Sequence, residues 1–283
     1  MKVQTIVNNF MIDKGYSTIF CMTETKVKGH DFKPVGIKMF SKHRSGKKEK
    51  KGGGLALGYD EKANIRLEEI ETGSKDILGV EGKINNRKCR IILCYFDCTK
   101  QLSGEDYERN RTLQTKVENL MEVDPDISLI LLGDMNGRLV ELEPGIRSDA
   151  NGIMIKTWTN SKDLIHLNTK DTCIGKYTFD SLNGKSAIDH VLVNGCMEKY
   201  YIGMWIDEEK TMLDISDHNL VRVWFKVGND NYRGKKKRPL KRATWISRNP
   251  INILRCVGNF KASIGRRHGF KECMGKLKTS AKP

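Results

Sequence analysis

The sequence lacks most of the patterns that would place it at a glance. Its 283 residues hold no apolar run near the roughly 18 residues that a membrane helix needs. The opening MKVQTIVNNFMIDKGY is amphipathic, with neither a signal-peptide apolar core nor a small-residue cleavage site. A nuclear or cytoplasmic protein is expected, neither secreted nor membrane-bound. The eight cysteines (Cys21, Cys89, Cys94, Cys98, Cys173, Cys196, Cys256 and Cys273) include no CxxC and no Cys/His cluster at zinc spacing. They read as reduced thiols in or near a core. Gly52, Gly53 and Gly54 are not followed by Lys-Ser/Thr, so they are not a phosphate cradle of the GxxxxGK[ST] kind. No internal repeat is visible, and no Pro/Gly linker precedes about residue 228.

Acidic residues are scarce in one region. Residues 229–283 carry 16 Lys and Arg against 2 Asp and Glu, whereas the preceding 228 residues carry 34 against 33. The net charge of +15 therefore belongs almost wholly to a tail. That tail begins NDNYRGKKKRPLKR and has little apolar periodicity, so a disordered basic segment is expected. Such charge attracts polyanions by counterion release, and GKKKRPLKR also fits a nuclear-import patch. A solvating end with no partner is the plainer reading. A second basic stretch, KMFSKHRSGKKEKKGGG (residues 38–54), reads as a surface loop between strands.

What is present is a series of strand patterns. STIFCMTE (17–24), GGLALGYD, ILGVEGKI, CRIILCYF, ISLILLGD, AIDHVLVN and LVRVWFKV are short apolar runs bounded by turn residues. Helical spacing is seen in MKVQTIVNNFMIDKG and in GEDYERNRTLQTKVENLMEVD (roughly 104–124), whose acidic start suits a helix N-terminus. NGIMIKTWTNSKDL is a third candidate. Many strands with helices between some of them imply sheets covered by helices. One domain over 1–228 is expected, followed by the tail 229–283.

Several strands end in chemistry. ISLILLGDMN finishes in Asp134 and Asn136, which alternation along an extended chain places on one side. Taken alone, Gly-Asp-Met-Asn is an ordinary turn. But Glu24 ends the strand STIFCMTE, Asp189 opens AIDHVLV with His190 behind it, and Asp217 and His218 precede the last strand in ISDHNLVRVWF. Several carboxylates, an amide and a histidine thus lie at strand ends, where a sheet can gather distant segments. Hard oxygen ligands without a Cys/His cluster point to Mg²⁺ or Mn²⁺. Such a metal with a water-orienting carboxylate and a proton-handling histidine suits phosphodiester hydrolysis.

The order TET, GDMN, IDHVLV, SDHN resembles the endonuclease/exonuclease/phosphatase superfamily, and within it the AP-endonuclease-like domain of non-LTR (LINE-type) retrotransposons. GKYTFDSLNGKSAIDHVLVN is especially similar to that branch, and the resemblance covers roughly residues 1–227. It implies a DNase I-like α+β fold, a four-layer α/β/β/α two-sheet sandwich with its active site at one end. It implies Glu24 as a metal ligand with Asp217 in support. Asp134 would position or deprotonate water, Asn136 and Tyr95 would contact the phosphate, and Asp189 would orient His218. Ser186, inside the retrotransposon-like stretch, is a further candidate substrate contact. One departure is expected to matter. The family starts with a strand carrying an asparagine, whereas this chain starts in the helix that follows it. After Tyr95, Phe96-Asp97-Cys98 replaces the Pro or Asn often found there.

The leading expectation is a Mg²⁺-dependent endonuclease acting on DNA. The alternatives are a phosphatase of the same superfamily and a catalytically inactive nucleic-acid-binding remnant working through its tail. A serine hydrolase built from Ser186, Asp189 and His218 is a remote fourth, because no GxSxG elbow is present.

Overall fold

The computed structural model describes residues 17–25, 34–43, 54–99, 102–211 and 216–227, together with the backbone of 251–257. The helix expected over residues 1–15 and most of the tail 229–283 lie outside the described residues. The strands are β1 (Ser17–Thr23), β2 (Ile37–Lys42), β3 (Leu55–Asp60), β4 (Ile65–Ile70), β5 (Ile77–Ile84), β6 (Arg87–Tyr95) and β7 (Ser128–Asp134). They continue with β8 (Ile165–His166), β9 (Cys173–Ile174), β10 (Phe179–Ser181), β11 (Gly184–Ser186), β12 (Asp189–Val193), β13 (Tyr201–Ile206), β14 (Val221–Phe225) and β15 (Ile251–Val257). The helices are α1 (Glu105–Met121), α2 (Ala150–Ser161) and the single turn α3 (Gly195–Glu198).

The strand β7 shows how the sequence dictates the layers. All seven of its residues are buried. Successive side chains of a strand point to opposite faces, so an unbroken apolar run needs cover on both. Ile130 and Leu132 join the core between two sheets, while Leu129 and Leu131 join a second core beneath helices. The inner core unites Ile19, Leu57, Ile91, Val191 and Val223 from both sheets. The outer one gathers Leu113, Val117 and Met121 of α1 with Met154, Ile155 and Trp158 of α2. The result is an α+β sandwich with helices outside the second sheet.

One sheet runs β4-β5-β6-β7-β12-β8 and the other β2-β3-β1-β15-β14-β13-β9, with β10-β11 as a separate hairpin. The strands β6 and β7 are parallel and joined through α1, since a parallel pair needs a crossover rather than a tight turn. The helix α1 buries Asn110, Leu113, Val117 and Met121, spaced for one face, and opens with Glu105, Asp106 and Glu108 at its positive end. The side chain of Asp149 caps α2 by accepting from Gly152 N at 2.8 Å.

Eight strands were not legible in the sequence: β2, β4, β13 and β15, and the two- and three-residue strands β8, β9, β10 and β11. The stretch read as a loop over 38–54 in fact begins inside β2, which pairs with β3 along its whole length. The strand β15 falls within the tail expected to be disordered. It stands between β1 and β14, parallel to the first and antiparallel to the second. The facing edges of β1 and β14 are therefore both paired by β15.

At Gly133 the strand β7 passes so close to β6 that a Cβ would lie 1.9 Å from the Cys94 carbonyl oxygen, at a φ of +153°. Only glycine fits there, one residue before Asp134. Gly133→Ala is expected to lower unfolding free energy by about 2–3 kcal/mol in urea titration. Gly195→Ala, with nothing within 4 Å, should stay within about 0.5 kcal/mol.

Candidate active site

Sheet register brings the predicted residues together. Tyr95 of β6 lies in register with Asp134 of β7, and Asp134 lies in register with Asp189 of β12. All three are buried and lie on one row at the end of the sheet. Facing them from the other sheet are Glu24, just past the end of β1, and His218, three residues before β14.

His218 spans the two carboxylates. Its Nδ1 lies 2.8 Å from Asp189 Oδ2, a hydrogen bond that places the proton on Nδ1. Its Nε2 then faces Asp134 Oδ2 at 3.7 Å, too far for a hydrogen bond. Asp134, Asp189 and His218 form the one group of potential metal ligands among the described residues, each offering an atom within 4.8 Å of the others. Neither Glu24 nor Asp217 belongs to that group.

Glu24 sits at a φ of +52° and accepts a hydrogen bond from Tyr95 Oη at 2.9 Å. Burial, then the charges of Glu24 and Asp134, push the Tyr95 hydroxyl well above its usual pKa, so it stays a donor. Asp217 is exposed, and its carbonyl accepts from Asp180 N at 2.7 Å. Ser186 lies half-buried on β11. His218 is turned toward the aspartates rather than Ser186, which leaves no serine–histidine pair for the hydrolase alternative.

Asp134 and Asn136 are paired by a turn rather than by alternation. The strand ends at Asp134, and Asn136 has a φ of +45°. Its backbone N–H donates to Asp134 Oδ1 at 3.2 Å, and its Nδ2 donates to Phe96 O at 2.8 Å. The polar turn thus holds the carboxylate in place.

Several supporting residues escaped the sequence reading. Asn151, the second residue of α2, directs Nδ2 to the carbonyls of Asp97 and Met135 at 3.0 and 2.9 Å and accepts from Asn110 Nδ2 at 3.0 Å. One buried amide therefore ties α1, α2 and both site strands. Thr178 Oγ1 accepts from Ile188 N and Asp189 N at 3.0 and 2.9 Å. Asn168 bonds to Asp189 O and Val191 N, both at 2.9 Å. The β10–β11 hairpin packs Phe179 edge-on against the His218 ring, with centroids 5.1 Å apart. No spacing rule marks these residues, because their partners are distant backbone groups.

Comparisons with known proteins give one family match and several similar folds. Residues 89–222 match a family described as Endonuclease-reverse transcriptase. No curated protein sequence matches. The fold is similar to the endonuclease domain of TRAS1, a telomere-specific non-LTR retrotransposon, with TM-score 0.55 and 18% identity over 77% of this chain and 86% of that one. It is also similar to a 3′ phosphatase from Neisseria bound to product DNA hairpin, with TM-score 0.58 and 18% identity over 79% and 93%. An AP endonuclease from Leishmania major gives TM-score 0.60 at 11% identity over 79% and 81%. No helix among the described residues is long and apolar enough to cross a membrane.

A buried histidine pair braces the loop after Asn136. His166 Nε2 and His190 Nδ1 are 3.0 Å apart, and His190 Nε2 donates to Gly137 O at 2.7 Å. Burial first, then the neighbouring ring, holds His166 well below its ordinary value, and burial lowers His190 to about 4. Both rings are neutral when folded and titrate near 6.5 when unfolded, so the unfolded chain binds more protons as pH falls below 6.5. Their contribution to stability is present above that pH and lost toward pH 4. Unfolding free energy should drop on the order of 3 kcal/mol across this window. His190→Gln should flatten that part of the profile in urea titrations at stepped pH.

Proposed function

We propose that this chain is a member of the endonuclease/exonuclease/phosphatase superfamily, in its retrotransposon-type branch, and that it carries out divalent-metal-dependent hydrolysis of a DNA phosphodiester; the family match over residues 89–222 and the similar folds support this reading. The observation that carries the proposal is the register row Tyr95–Asp134–Asp189, closed from the other sheet by Glu24 and His218.

Asp134 is the water-activating carboxylate, its Oδ1 fixed by Asn136 N–H and its Oδ2 directed at the site. It takes the proton of a water whose oxygen bonds to phosphorus as the P–O bond to the leaving sugar oxygen breaks. Solvent protonates the leaving oxygen. His218, oriented through Nδ1 by Asp189, presents Nε2 to a non-bridging phosphoryl oxygen, where the N–H of the imidazolium form would stabilise the charge that develops there. Tyr95 orients Glu24 by donation, and Asn136 borders the phosphate position.

The donor set of carboxylates and one imidazole, without a thiolate, suits a hard divalent cation. Glu24 would hold Mg²⁺ or Mn²⁺ with Asp217 in support, and the bound cation would supply Lewis-acid stabilisation of phosphoryl charge. The proton transfer from water stays with Asp134, and the hydrogen-bonded His218–Asp189 pair adds charge stabilisation. A DNA partner is consistent with the DNA-bound 3′ phosphatase of similar fold and with the basic residues beyond 228.

Supercoiled plasmid incubated with Mg²⁺ should be nicked and should stay intact in EDTA. Asp134→Ala and His218→Ala should each slow nicking by about 10²–10⁴-fold. Binding of uncut DNA should persist in both variants. Well-folded protein that does not nick would instead favour a nucleic-acid-binding remnant.

A further inference from the structure

We infer that residues 251–257 form a positioning strand that completes the site's scaffold from the far end of the chain. The observation is topological. Without β15, the seven-stranded sheet separates into β2-β3-β1 and β14-β13-β9, because among the described residues no other strand joins β1 to β14.

The fit is complete on both edges. The strand β15 pairs with β1 over seven residues, from Ser17↔Ile251 to Thr23↔Val257. It pairs with β14 over five, from Val221↔Arg255 to Phe225↔Ile251. Six of the seven residues of β1 and all five of β14 are buried. Two buried edges facing one another across an empty slot would leave their backbone N–H and C=O groups without partners, which is costly. Strands two places apart lie about 9.6 Å from each other, the room one strand needs. Ile253 stands in register with Ile19 and Val223, both in the inter-sheet core. The β14–β15 connection of 25 residues, 226–250, is long, but closure cost rises only slowly with length.

The consequence reaches the site. Glu24 follows β1 and His218 precedes β14, so β15 sets the spacing between the two side chains that this sheet contributes. That Glu24 and His218 serve one reaction rests on the function proposed above. That β15 holds their strands at a fixed distance does not.

Hydrogen exchange on the full chain tests the inference, with Ile253→Pro, which removes a ladder donor, beside Ala262→Pro as a control. In the unsubstituted chain and the control, amides of 19–23, 221–225 and 251–257 should exchange slowly. In Ile253→Pro, exchange across all three segments should accelerate at least 100-fold, the unfolding midpoint should fall, and plasmid nicking should fall with it. A chain ending at residue 250 should behave the same way, and a peptide spanning 249–259 should restore protection at 19–23 and 221–225. Unchanged protection and midpoint in Ile253→Pro would overturn the inference, whether or not the shortened chain folds. Intact protection in a full chain that never nicks DNA would count against the proposed reaction and leave the strand assignment standing.

Discussion

Two carboxylates facing each other across adjacent strands set the terms for this molecule. Asp134 and Asp189 are register partners, and both are buried. Like charges placed directly opposite destabilise a sheet, and burial makes each charge more costly. His218 relieves the conflict by bonding to one and facing the other. For that to work, the His218 ring must be held between two strands of a sheet to which it does not belong. The hairpin does this. Phe179 packs on the ring, Asp180 N bonds to Asp217 O, and Asn219 N bonds to Thr178 O. The same Thr178 accepts from the backbone of Asp189. One threonine therefore fixes both halves of the histidine–aspartate pair.

The other side of the site is built by a different device. Asn110, Asn151 and Asp97 form a buried polar network in which side-chain amides bond to the carbonyls of the turns that follow β6 and β7. Arg109 adds ion pairs to Asp76 and Asp97. A buried amide is tolerable only when its bonds are made, so the network admits few alternative loop positions. Such a network gives precision to Asp134 and Asn136 that the turn alone would not.

The site was more legible in the sequence than the scaffold that holds it. Glu24, Asp134, Asp189 and His218 stand at the ends of strong apolar runs, and each run is a strand. The strand β4 was missed because Glu68 and Glu69 interrupt its alternation, and only Ile65 and Leu67 are buried. The strand β13 carries Gly203 at a register shift, which weakens its pattern. The pairing of Asp134 with Asn136 was read from period-two alternation, whereas a left-handed residue and an N–H···carboxylate bond bring them together. Asn151 was invisible in principle, because nothing local marks an amide whose partners are carbonyls 16 and 54 residues away.

The strand β15 was hidden by its neighbours. Its INILRCV is apolar, but it sits where Lys and Arg dominate every wider window. Its direction then divides the basic charge. Ile251 is in register with Ser17 and Phe225, at the end of the sheet away from Glu24. The segment 228–250, with 8 basic residues and 1 acidic, is therefore attached at the end opposite the site. Val257 is in register with Thr23, next to Glu24. The segment 258–283, with 7 basic residues and 1 acidic, begins at the site end. In this arrangement the same seven residues that close the sheet also set where the basic segments meet the body of the protein.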